Sequence, residues 1–538
     1  MALTLRANAG VVKKRSRRFF IFIVAENSIN AGIIGRIEYK EFLMELMPDA
    51  TLTSLQLPPC ALLINGQWRQ SAHSFPVVDP ANGQVLAQVA SASLDDAAEA
   101  LSAATNAFTH WRRSTATERS QLLQRWHQLM LQQRERLAQL LCAEQGKPIS
   151  EARAEIDYAA SYLNWFAGEA LRLEGDWQHP SVAGRQLLNI PEPVGVVLAL
   201  TPWNFPAAMV TRKLGAALAA GCTVLLKPAE STPLTALALA ELAMEAGIAP
   251  GVIQVLPCAT PDPLAAFLIA SPQVAKVSFT GSTGVGRLLM QQSATTLKRL
   301  SLELGGNAPV LVFADADLDA AVTGIMAAKF RNAGQTCICI NRVLADAKIA
   351  PELEQRLAAA VMALQVGAGQ VDTVQIGPLI SAKAVQKVQQ LVEGAILQGA
   401  RLVCQQRLPA ALQPGPAGGY FFPPTMLADV TMLMAICQQE IFGPVLTLQT
   451  FTDEAQALQL ANQTDGGLAA YLYGGDEKRN YRLARQLNAG MVGINATAIS
   501  DARIPFGGVG SAGFGREGSK YGVADYLQLK HLCWELAE

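Results

Sequence analysis

At 538 residues the chain is longer than one hydrophobic core supports, which implies at least two domains with a cleft between them. Half of the residues are hydrophobic, 16% are charged and the formal net charge is -1, which excludes a disordered chain and leaves no basic footprint for nucleic acid. Nine cysteines, scattered without a CxxC pair, read as reduced thiols in a cytosol-like compartment and not as a disulfide framework.

Residues 1–25 contain no acidic side chain, and Arg6, Lys13, Lys14, Arg15, Arg17 and Arg18 precede an apolar run over 19–25. That run falls far short of the roughly 20 residues that span a bilayer. Residues 1–50 are therefore expected to be a poorly ordered extension of a cytoplasmic protein, with a transit peptide to an organelle matrix as the alternative. Between 68 and 148 a short strand region gives way to helices, with Leu122, Leu123, Trp126 and Leu129 at helical spacing. From 194 onward the alternation is regular: strands over 194–200, 223–226, 252–256 and 274–279, with helices over 207–220, 233–246, 263–269 and 285–293. Short apolar runs separated by helices, without period-2 alternation, predict a parallel sheet covered on both faces. A second series follows, with strands over 309–313 and 343–345 around a helix over 318–330, so the domain change is placed at 303–307. The Gly/Pro-rich stretch 409–419 reads as a loop.

Ligands of parallel sheets bind beyond the carboxyl ends of the strands, where loops and helix N-termini present free N–H groups. Several polar motifs fall there. TPWNFP occupies 201–206, KPAE 227–230 and GSTGVG 281–286, the last opening a helix as a pyrophosphate turn does, although its glycine spacing departs from GxGxxG. Lys227 and Glu230 suit ribose hydroxyls, and a carboxylate near the 2′ position favours NAD over NADP; a solvated loop pair is the other reading. Cys337 lies in the polar, Gly-containing segment FRNAGQTCIC (330–339), between a helix and a strand, as suits a thiol presented to a cleft. None of the five histidines, at 73, 110, 127, 179 and 531, lies beside a strand-end motif, so a Cys/His dyad is unsupported. Glu303, among apolar neighbours at a strand end, is the candidate base if desolvation raises its pKa; a carboxylate that binds backbone amides is the alternative. No metal site is expected, because Cys337 and Cys339 lack partner ligands.

TPWNFP, KPAE, FTGSTGVG, LELGGNAP, FRNAGQTC, EIFGP (440–444) and PFGG (505–508), in this order, resemble the aldehyde dehydrogenase superfamily from about residue 60 to the C-terminus. Within it the chain is most similar to succinate-semialdehyde dehydrogenases, through FRNAGQTC followed by a second Cys, TRKLGAALAAGCT after WNFP, and GREGSKYG. The resemblance implies an α/β fold of two doubly wound Rossmann-like domains with a small oligomerisation extension. Residues 51–305 would form the cofactor-binding domain and 306–490 the catalytic domain. Residues 491–538 would return to the cofactor domain and make the contacts of a homodimer or homotetramer. It further implies NAD or NADP as cofactor, held by Trp203, Lys227, Glu230, Gly281, Ser282, Leu304 and Glu440. Cys337 would be the nucleophile, Glu303 the base and Asn204 an oxyanion donor, oxidising a small carboxylated aldehyde clamped by Arg212, Arg331 and Ser500. Structural ion pairs are the alternative for the two arginines, which would make the enzyme a glutarate-semialdehyde or broad-specificity dehydrogenase. A catalytically silent cofactor-binding protein is the non-enzymatic alternative. Cys339 is a redox-switch candidate through oxidation with Cys337, or else an inert neighbour. One departure stands out: the family's FGGxKxSG carries Gly510 and Ala512 in place of its lysine and serine.

Overall fold

The computed structural model of the chain describes residues 55–413 and 418–535, so the expectations for residues 1–50 and for the centre of the 409–419 loop lie outside it. The apolar runs VVLAL at Val196–Leu200 and TVLLK at Thr223–Lys227 are buried along their whole length. Alternate residues serve two cores: Val197, Ala199, Val224 and Leu226 face one, while Val196, Leu198, Leu200 and Leu225 face the other. That two-sided burial is what a parallel strand requires.

The first sheet has the order Gln67–Arg69, Leu62–Ile64, Ile253–Val255, Thr223–Lys227, Val196–Leu200, Val274–Gly281, Arg299–Leu304, Gly513–Phe514. The five strands from Ile253–Val255 to Arg299–Leu304 are parallel, and the flanking ones are antiparallel. After Val196–Leu200 the chain runs outward through Thr223–Lys227 and Ile253–Val255, then crosses back to Val274–Gly281 on the other side. The loops after Leu200 and Gly281 therefore diverge at a topological switch point, where such sheets open a crevice. The helix Ala208–Ala220 connects the first two strands and stops at Gly221, whose φ of +93° suits glycine. All of its residues are buried, and Gly215 lets Phe166 of the helix Ile149–Ala170 approach so closely that a Cβ would stand 2.8 Å from the ring.

The second sheet begins five residues after Leu304. Its order is Arg401–Gln405, Thr425–Ala428, Val445–Phe451, Arg342–Asp346, Pro309–Val312, Ala469–Tyr473, Met491–Ile494, parallel except for the first strand. Met491–Ile494, assigned by the sequence reading to the C-terminal segment, is the edge of this sheet. Beyond it the chain returns to the first sheet, where Gly513 pairs with Glu303. A Cβ at Gly513 would stand 1.9 Å from the Leu302 carbonyl, so glycine is required there. The last strand, Leu527–Glu535, joins Arg185–Pro193 and Asp176–Gln178 in a small antiparallel sheet. Among the described residues no helix is long and apolar enough to cross a membrane, and no cluster of His, Cys, Asp or Glu is placed to hold a metal.

Candidate active site

A cavity of about 660 Å³ opens at the carboxyl ends of the first sheet, and elements of both sheets line it. Trp203, Asn204, Gly281, Ser282, Glu303, Leu304, Cys337 and Glu440 all reach its wall. Eight of the residues singled out from the sequence, separated by as many as 237 positions, thus meet at one place.

Cys337 is half-buried, on the segment between the turn Arg331–Gly334 and the strand Arg342–Asp346. Three successive residues before it, Asn332, Ala333 and Gly334, take left-handed φ values of +52°, +53° and +76°. Two of them are not glycine, and such backbone persists only where surroundings over-determine it. Here they do. Asn332 N donates to Glu151 Oε2 at 2.7 Å, Asn332 Nδ2 to the Asn204 carbonyl at 2.9 Å, and Ile380 N to Gln335 Oε1 at 2.9 Å. Burial pushes the Cys337 thiol up to about 12; the Glu440 and Glu303 carboxylates add to the rise, while the Arg212 and Arg331 guanidiniums oppose it.

Glu303 is 2% exposed, and neither carboxylate oxygen has a hydrogen-bond partner. Burial, with the neighbouring Glu517, raises it well above the usual carboxylate range against the pull of Lys213, Arg212 and Arg516. Its alternative reading, a carboxylate that binds backbone amides, does not hold. The Asn204 side-chain amide donates one N–H to the Gln335 carbonyl at 3.0 Å, which fixes the amide beside the segment that carries Cys337 and leaves its second N–H. Burial lifts Glu440 to about 7, opposed by Lys387, the Gly306 amide and Lys329. Its Oε1 is buried without a partner, and a Cβ at Gly305 would stand 2.5 Å from its Oε2. Trp203 packs edge-on against Phe442, with ring centroids 5.4 Å apart. Ser282 caps the helix Thr283–Ser293, and Lys227 pairs with the exposed Glu230 at 3.1 Å, one strand away from the Trp203 loop.

None of the three clamp candidates lines the cavity, although the charges of Arg212 and Arg331 act on the Cys337 thiol. Arg331 is exposed, its guanidinium 5.1 Å from the Phe205 ring centroid. Arg212 is buried, donating to Tyr158 OH at 2.6 Å and to Glu517 Oε2 at 3.3 Å, with its Nε unpartnered. Ser500 bonds the same Tyr158 hydroxyl, so two candidates meet on a residue the sequence reading missed. Cys339 is a buried free thiol, with its sulfur 3.3 Å from Asn341 Oδ1 and 3.4 Å from Lys329 Nζ; Cys337 is free as well. Also missed were Lys213, whose Nζ lies 2.5 Å from Glu517 Oε1 and 2.8 Å from Thr280 Oγ1, and Lys147, whose Nζ lies 2.8 Å from the Asn204 carbonyl. A signal was available: Arg212 and Lys213 are the charges of an otherwise apolar helix, and buried cations require a carboxylate.

A thiol, a desolvated carboxylate and an amide donor on one wall can support acyl chemistry, beside a strand-end crevice of the kind that takes a dinucleotide. The aldehyde dehydrogenase family model matches residues 68–532, and the chain belongs to the aldehyde dehydrogenase family. It is 47% identical to the succinate-semialdehyde dehydrogenase [NADP(+)] of Escherichia coli over 88% of this chain and 97% of the relative. It is 46% identical to the glutarate-semialdehyde dehydrogenase of Pseudomonas putida over 87% of this chain and 96% of that one. The crystal structure of succinate-semialdehyde dehydrogenase from Burkholderia pseudomallei superposes with a TM-score of 0.86 at 46% identity, covering 91% of this chain and all of the other.

Proposed function

We propose that the protein oxidises succinate semialdehyde to succinate through a thioester on Cys337, with a nicotinamide dinucleotide as hydride acceptor. The observation that carries this reading is the meeting of Cys337, Glu303 and Asn204 on one cavity wall, with both Glu303 oxygens unpartnered. In this reading Cys337 releases its thiol proton to solvent, the thiolate attacks the aldehyde carbon, and the oxyanion is stabilised by the Asn204 amide and the Cys337 N–H. Glu303 takes a proton from water, which attacks the thioester carbonyl; the acid leaves and the Cys337 thiolate is restored. Lys213 and Arg212, which favour the charged form of Glu303, support its use as a base. Cys339, two residues away, is the candidate for a reversible oxidative cap on the nucleophile.

The residues fit a nicotinamide dinucleotide on a structural ground: Glu440 keeps a buried oxygen free, and Gly281 and Ser282 open a helix N-terminus onto the cavity. Glu440 would hold the nicotinamide ribose, Trp203 and Leu304 would pack on the cofactor, and Lys227 and Glu230 would take the adenosine ribose. When bound, the cofactor supplies the hydride acceptor. The exposed Glu230 carboxylate repels a 2′-phosphate, which favours NAD for this chain, although the Escherichia coli relative carries NADP in its name.

Substrate choice follows from the three clamp residues. Arg331 offers an exposed guanidinium, and Arg212 and Ser500 share the Tyr158 hydroxyl, which suits a distal carboxylate. The division of labour places cofactor binding on 51–305 and catalysis on 306–490. A homodimer or homotetramer is favoured by the exposed Trp177, Leu529 and Trp534 of the small antiparallel sheet. The free thiols accord with a cytoplasmic location.

Steady-state rates with succinate semialdehyde, glutarate semialdehyde and a neutral aldehyde, each with NAD and NADP, test the reading. Succinate semialdehyde with NAD is expected to give the highest kcat/KM. Because a charge-assisted bond contributes about 1.5–3 kcal/mol, Arg331→Ala should lower kcat/KM for the carboxylated aldehydes by about 10- to 100-fold and leave the neutral one nearly unchanged. An equal loss on all three makes the arginine structural and the clamp wrong.

A further inference from the structure

The segment that carries Asn204 is gripped at both ends by one buried ion pair outside the cavity wall. Lys147 follows Gly146, which ends the helix Arg134–Gln145 with a φ of +90°. Its backbone is confined: a Cβ on Gly369 would stand 2.4 Å from the Lys147 carbonyl oxygen, and one on Gly377 would stand 2.1 Å from that of Gly146. From this fixed base the wholly buried side chain reaches Glu155 Oε2 at 2.5 Å and the Asn204 carbonyl at 2.8 Å, with Nζ 3.9 Å from the Phe205 ring centroid. The other oxygen of Glu155 accepts from Ala207 N at 2.9 Å and Ala208 N at 3.3 Å. The ammonium thus holds the carbonyl at the start of residues 204–208, and the carboxylate holds the amides at their end.

A buried ion pair is a poor route to stability, because an apolar pair of similar volume often does as well or better. Its value here lies in geometry. The Asn204 carbonyl receives a second bond from Asn332 of the nucleophile segment, and the Asn204 side chain bonds Gln335 of that same segment. We infer that Lys147, with Glu155, is a positioning residue for the oxyanion site: it fixes the Asn204 backbone so that the amide is already in place at Cys337 when the aldehyde arrives. The inference rests on the reading of Asn204 as the oxyanion donor.

The test compares acylation rates, read as the burst of reduced cofactor when NAD-saturated full-length enzyme is mixed rapidly with succinate semialdehyde. Three proteins are needed: Asn204→Ala, the neutral pair Lys147→Met with Glu155→Gln, and all three changes together. A misplacement of about 1 Å costs up to about 100-fold, so the neutral pair should acylate about 10- to 100-fold more slowly while its affinity for NAD is unchanged. The triple variant should be no slower than Asn204→Ala alone, because the pair acts only through that amide. Wild-type acylation in the neutral pair, or losses that multiply in the triple variant, overturns the inference. Lys147→Arg keeps the charge beside Glu155 and alters the reach to the Asn204 carbonyl, which guards against a neutral pair that does not fold. Slowed acylation at an unchanged thermal midpoint supports the positioning role, and unchanged acylation refutes it. Undiminished acylation in Asn204→Ala removes the oxyanion reading itself, and the role of Lys147 with it, which is a different failure from a silent Lys147.

Discussion

Burial and two carboxylates raise the Cys337 thiol to about 12, while Arg212 and Arg331 draw it the other way. The protonated thiol is therefore the resting form of the free enzyme near neutral pH. Glu440, lifted to about 7, is ionised above that pH and opposes the thiolate. Replacing it by Gln removes a negative charge next to the sulfur. Alkylation of Cys337 by iodoacetamide at about pH 8.5 should then be about three- to tenfold faster than in the unaltered protein, since one pKa unit is a factor of ten in thiolate. A rate that is unchanged or lower means that Glu440 does not act on the sulfur. The sequence pointed to Cys337 through its polar, Gly-containing setting, but not to the forces on it. Apart from Arg331, six positions before it, those come from residues 34 to 125 positions away, whose approach only the folded chain creates.

The helix Ala208–Ala220 shows what was legible at the level of elements and what was not. Its apolar composition, the strand before it and Gly221 after it gave its bounds to within a residue. The two cations within it were visible too, yet the partner of Lys213 is Glu517, 304 positions later. Such a pairing requires the C-terminal segment to return to the first sheet, which no local pattern encodes. Lys213→Met leaves Glu517 buried with its charge uncompensated on that side. Removing one partner of a buried pair costs about 3–5 kcal/mol, so a clearly lowered midpoint of thermal unfolding is expected, partly recovered by adding Glu517→Gln. An unchanged midpoint would show that the pair is not closed in solution. Met491–Ile494 is the converse case: a short run of four residues reads as a strand only once the neighbouring Ala469–Tyr473 is there to pair with it.

Across the whole molecule, the strand-end motifs were legible because they fall where a parallel sheet ends, and the sheet itself follows from two-sided apolar runs. The network that holds those motifs in place was not. Lys147, Glu155, Tyr158 and Glu517 look like ordinary helix or loop charges and phenols until two sheets close on them. The proposed chemistry needs Cys337 to carry the acyl group and Glu303 to drive its hydrolysis. Glu303→Gln, mixed with succinate semialdehyde and excess NAD and then digested for mass spectrometry, tests both at once. The expected result is a single equivalent of reduced cofactor per active site and a succinyl thioester on the peptide that contains Cys337. Sustained turnover without any adduct, or an adduct on another residue, contradicts it.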